Sequence, residues 1–191
     1  GTTPSCNDGV IRAIGGALTI HGVPGAVLDL DGATEAGGFE VADGASMTID
    51  VEVEPSFAGQ VQIGVSSTLT INEAWILAST TDIEFNGGFG NTRAKLGGTS
   101  VGFFGTVHVN SGRALVTAGA GFHGDVTFSD GSFLELDGYA GIGSGANFMG
   151  DGSGSVVVTA DGELELSHDA HVAVPVTCDG AITFAEATEE D

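Results

Sequence analysis

Short apolar pairs at period two recur along this chain at a fixed offset, and that pattern restricts the fold more than any other feature. In residues 126–136, VTFSDGSFLEL, Val126/Phe128 and Leu134/Leu136 flank Asp130-Gly131. Alternation at period two marks a half-buried strand, and Asp-Gly marks a tight turn. The figure repeats at Phe39/Val41 with Met47/Ile49, Val61/Ile63 with Leu69/Ile71, Val107/Val109 with Leu115, and Val156/Val158 with Leu164/Leu166. Each second pair begins 8 residues after the first. The first pairs open at 39, 61, 83, 107, 126, 156 and 182, a spacing in the low twenties.

A period of that length, built from strands and turns with no helical segment, predicts a solenoid. The expected fold is all-β: a parallel β-helix (β-solenoid) of about eight coils, each of roughly 22 residues. By analogy with parallel crossovers it should be right-handed. Like strands would stack into parallel sheets about 4.8 Å apart, giving a rod about 38 Å long. Residues 1–15 read as an irregular N-terminal segment, 16–184 as the solenoid and 185–191 as an acidic tail. Residues 138–154, rich in Gly and Ser, read as a surface loop. Stacked core residues should include Val61, Ile63, Ile83, Phe85, Val107, Val126, Phe128, Val156, Ile182 and Phe184.

The charge excludes several partners. Four basic residues stand against 26 acidic ones, a net charge of −22. Such a surface repels nucleic acid and anionic membranes. No apolar run reaches the length of a membrane span. The 33 glycines lack a Gly-X-Y period, so the chain is not collagen-like.

The strand-turn repeat over residues 18–184 resembles, in architecture, the secreted parallel β-helix proteins: adhesin passenger domains, phage tail fibres and pectate-lyase-like folds. The resemblance implies an extracellular or cell-surface location. It carries no catalytic motif.

Candidate sites follow from the ends and the turns. Cys6 and Cys178 each precede an apolar strand start, Val10 and Ile182, by 4 residues. On that register the thiols share one edge of the rod at opposite ends, so they are candidates for a disulfide between copies. An uncapped solenoid end exposes a pairing template, and unlike ends that join give an open filament. The expected function is therefore a structural subunit polymerising head to tail. Val10, Ile11, Leu18, Ile20, Ile182 and Phe184 form the expected joint.

The alternatives are an adhesin or fibre module that binds glycans or a cell surface, with Trp75 and Tyr139 as places to look, and a polysaccharide-cleaving enzyme. For a hydrolase, Glu135 and Glu165 read as outward carboxylates on neighbouring coils. No cofactor is expected. Asp29, Asp31 and Glu35 are weak candidates for adventitious Ca²⁺, and His168 with His171 lacks a helical spacing that would favour a metal.

Overall fold

The computed structural model describes residues 5–6, 9–29, 37–53, 59–73, 75–77, 81–88, 92–117, 119–150 and 152–185. Every described element is a strand. β1 (Ser5–Cys6) precedes the first coil, which comprises β2 (Val10–Ala13), β3 (Ala17–His21) and β4 (Val27–Asp29). The second holds β5 (Gly38–Val41), β6 (Ser46–Asp50) and β7 (Glu52–Val53). The third holds β8 (Gln60–Ile63), β9 (Thr68–Ile71) and β10 (Trp75–Leu77), and the fourth β11 (Asp82–Asn86), β12 (Arg93–Gly98) and β13 (Ser100–Phe103). Next come β14 (Val107–Ser111), β15 (Arg113–Val116) and β16 (Gly119–Phe122), then β17 (Val126–Phe128), β18 (Phe133–Leu136) and β19 (Tyr139–Ile142). The last two coils are β20 (Asn147–Gly150), β21 (Ser155–Val158) and β22 (Glu163–Leu166), then β23 (His171–Val172), β24 (Val176–Cys178) and β25 (Ala181–Phe184).

The first and second strands of successive coils form two parallel sheets of eight strands. The third face is divided. β1-β4-β7 form one short sheet, and β10 to β25 form a continuous six-stranded one. All three faces thus run unbroken over six coils, somewhat fewer than the eight expected.

The core is a set of columns. On the first face Ile11, Phe39, Val61, Ile83, Val107, Val126, Phe148 and Val172 stack in register. On the second, Leu18, Met47, Leu69, Leu96, Val116, Leu136, Val158 and Cys178 do the same. Phe103, Phe122, Ile142, Leu166 and Phe184 align on the third. Alternation puts every second residue into the bore, where like side chains meet at each rung. Aromatic rings lock the middle: Phe103 stacks on Phe122 at 4.9 Å, and Phe122 meets Phe148 edge-on at 5.3 Å. Turns repeat as well. Gly131 adopts φ +71° in the Asp130-Gly131 turn, where Ser132 N–H donates to the Ser129 carbonyl.

Four expectations need correction. Residues 138–154 are not a surface loop: they hold β19, the third strand of one coil, and β20, the first strand of the next. β20 has one apolar inward residue, Phe148, because Gly150 takes the other inward position opposite Phe128. A Cβ on Gly150 would come within 3.1 Å of Val174 Cγ1 and 3.3 Å of Phe128 Cβ, so the position is tight for any side chain. Val156 consequently belongs to the second face, in register with Leu134, and Ile182 to the third, in register with Leu164. Residues 1–15 are not wholly irregular, since β1 and β2 already pair with the solenoid. Finally, Ile182 and Phe184 lie in core columns yet are 39% and 76% exposed, and among the described residues no further strand covers them.

Candidate functional site

Two regions of the rod stand out, its open ends and a trough on the third face. Among the described residues the columns end uncovered at β23, β24 and β25. Val176 and Cys178 continue the second face opposite Val156 and Val158, and both are exposed although the residues they pair with are fully buried. At the N-terminal end Ile11, Leu18 and Ile20 occupy inward columns and are half-buried. Val10 differs from the other joint candidates. It sits in the alternate, outward register beside Gly38.

The cysteines do not share an edge. Cys6 lies in β1 on the third face, with its Cα opposite Asp29. Cys178 lies in β24 on the second face, where it ends the column that Leu18 begins. The equal spacing misleads because Val10 opens a first-face strand and Ile182 a third-face strand. Cys178 is a free thiol.

Asp29 ends β4, while Asp31 and Glu35 fall outside the described residues. Among the described residues no cluster of three or more metal-ligating side chains occurs. His168 Nε2 lies 3.0 Å from Asp169 Oδ1 at an exposed turn, and His171 pairs across β20 with Asn147.

The proposed carboxylate pair is not brought together. Glu165 is on the third face and Glu135 on the second, opposite Leu115 and Val157. Glu135 is buried and engaged: Arg93 Nε lies 2.6 Å from its Oε2, and Arg113 pairs with its Oε1. Arg113 also sits 5.0 Å over the Phe133 ring. Two of the four basic residues thus neutralise one buried acid, which is a structural arrangement. On the first face Arg12 Nε bonds Glu40 at 2.6 Å, and Gln62 Nε2 donates to Glu84 at 3.3 Å, giving a satisfied polar column.

The trough is built by the outward column Ile76, Gly102, Gly121, Gly141, Glu165. Three successive rungs carry no side chain at that position, so neighbouring rings fold over the gap. A Cβ at Gly102 would touch Phe104 Cε2 at 3.6 Å. At Gly121 it would touch His123 Nε2 at 3.2 Å, and at Gly141 the Tyr139 hydroxyl at 3.3 Å. Phe104 and His123 stack at 4.4 Å with near-parallel planes and wall one side. Tyr139 stands on the other side, paired with Glu163 across the rung and close to Glu165. Burial first, then the charges of Glu165 and Glu163, hold the Tyr139 phenol above its ordinary pKa of 10.0. The depression is about 550 Å³, with Ser100 and Ser167 on its rim. Buried Trp75 lies beneath it, meeting Phe39 edge-on at 5.5 Å.

Sequence reasoning pointed to Tyr139 but missed Phe104, His123 and the glycine column. The signal was there: Gly102-Phe103-Phe104, Gly121-Phe122-His123 and Gly141-Ile142-Gly143 share one figure. Among the described residues no helix is long and apolar enough to cross a membrane. Compared with family models, curated proteins and solved structures, the chain matches none.

Proposed function

We propose that this chain is a structural subunit of an extracellular filament, joined axially through its open solenoid ends. The observation that carries the reading is that Phe184, Ile182, Val176 and Cys178 continue buried columns but end uncovered. Another copy's Leu18 would continue the column that ends at Cys178, and its Ile11 the first-face column that ends at Val172. Unpaired edges of β23, β24 and β25 offer backbone groups to a further parallel strand. Unlike ends make the contact heterologous, and a heterologous contact that does not close extends without limit. The charge of −22 opposes side-by-side bundling and leaves the ends as the favoured contact.

β1 adds a condition. It pairs with the edge of β4 that an incoming β25 would need if copies stacked face on face. Joining in that register therefore requires β1 to leave. With the faces aligned, Cys178 would meet Leu18 of the next copy, so apolar burial holds this joint and no disulfide is required.

Sedimentation and negative-stain electron microscopy over a range of concentration and salt test the reading, with and without reductant. Filaments should form in both redox states, and removal of residues 1–8 should lower the concentration at which they appear. Discrete monomers under every condition would overturn the proposal. So would a dimer that reductant dissolves, since that would indicate Cys178 pairing tail to tail.

A further inference from the structure

We infer that the third-face trough is a binding site for a neutral glycan chain. The inference does not depend on filament formation, because the trough lies on the side of the rod, over the third to seventh coils. Its size falls in the range of small-ligand sites, and its lining has their character: apolar and aromatic walls with a few convergent polar groups.

Each part of the trough matches one requirement of a sugar. A pyranose presents a flat C–H face and a rim of hydroxyls. The C–H face needs an exposed aromatic surface, and Phe104 and Tyr139, each nearly half exposed, provide one on either wall. The hydroxyls need acceptors and donors that are positioned in advance. Glu165, the Tyr139 hydroxyl, a His123 ring nitrogen and the hydroxyls of Ser100 and Ser167 stand around the depression. Tyr139 and Glu165 lie together on neighbouring rungs, so two of these groups already face the same end of the depression.

The trough also has the shape of a chain and not of a single small molecule. It is open along the axis from Ile76 to Glu165, four rung spacings or about 19 Å. Its depth comes from the missing side chains at Gly102, Gly121 and Gly141, while the rings that bound it give it chemistry.

Charge selects within the glycans. Glu163 and Glu165 lie at one end of the trough on a chain of net charge −22, so a uronate or sulfated polymer is repelled. No lysine or arginine lines the depression. An uncharged chain meets neither obstacle.

The chain has one tryptophan and one tyrosine, and both border this site, so intrinsic fluorescence reports on it without a label. The experiment titrates the full chain with a panel of neutral gluco-, manno- and galacto-oligosaccharides and their N-acetylamino counterparts. An oligouronate of equal length serves as control. Fluorescence and calorimetry are read together on Phe184→Asp protein, in which the open end is blocked, so that failure to polymerise is not confused with failure to bind. At least one neutral oligosaccharide should give saturable binding that strengthens with chain length up to the trough's span, and the oligouronate should give none. Tyr139→Ala and Phe104→Ala should each weaken binding about tenfold while the far-ultraviolet dichroism stays unchanged. Absence of binding across the neutral panel overturns the inference. Equal binding of the oligouronate, or affinity unchanged in both variants, also overturns it.

Discussion

Phe122 and Phe184 occupy one inward column of the third face, three rungs apart and with no neighbour in common, so the same substitution at each isolates what a covering coil is worth. Phe122 is fully buried, with Phe103 stacked on one side and Phe148 edge-on. Phe184 has Leu166 on one side, no described strand on the other and 76% of its surface exposed. Truncating a buried phenylalanine to alanine costs about 3–5 kcal/mol through lost transfer energy and the cavity left behind. At Phe184 only about a quarter of a full burial worth ~1.5–3 kcal/mol is realised, and no closed cavity forms, so the loss should be about 0.5 kcal/mol. Phe122→Ala should therefore destabilise the isolated chain by at least ~2.5 kcal/mol more than Phe184→Ala. Urea unfolding monitored by dichroism measures both, at a concentration where sedimentation shows monomer, with the slopes compared to confirm like transitions. Losses of similar size would refute the reasoning. They would mean that Phe184 is covered in the free chain and that the end is not open. Under filament-forming conditions the order of effects on assembly should reverse: Phe184→Ala should raise the critical concentration although it barely alters folding.

Further outcomes follow from other parts of the rod. Glu135→Ala brings Arg93 and Arg113 together on the second face without their carboxylate and should cost about 3 kcal/mol in urea unfolding. Gly131→Val forces a β-branched residue to φ +71° and should cost about 1–2 kcal/mol, measured the same way. The single tyrosine makes alkaline titration direct: the ultraviolet absorbance of tyrosinate should appear above pH 10, and Glu165→Gln should bring it back toward 10.0. Because the folded phenol is held above its unfolded value, its share of stability is complete below pH 10 and is lost as pH climbs through the folded value. The unfolding midpoint of Tyr139→Phe should accordingly fall less over that range. Added salt should lower the concentration needed for axial assembly by screening the net charge of −22, with light scattering as the readout.

The parallel solenoid was legible because alternation and a near-constant period are properties of the backbone ladder itself. Phe39, Val61 and Ile83 are 22 residues apart and do stack. Face assignment was not legible near the C-terminus, and the cause is one residue. An inward glycine at 150 erases the apolar pair that would mark β20, so the next visible pair, Val156/Val158, reads as a first-face strand although it belongs to the second. That slip carried Ile182 onto the wrong face and gave the two cysteines a common edge that they do not have. The glycines at 102, 121 and 141 escaped for the opposite reason. They are outward, where period-two patterning predicts only that a residue is not core. Their alignment into one trough depends on coil lengths of 19 and 20 residues between them, and only the ladder register reveals it. In a solenoid, an inward position is constrained by the column above and below it and therefore shows in sequence as hydrophobic repetition. An outward position is free to vary, so the surface that meets a ligand emerges from register alone. The open ends obey the same logic. Phe184 has a core residue's identity because its column demands it, and an exposed residue's surroundings because no described strand follows it in that column.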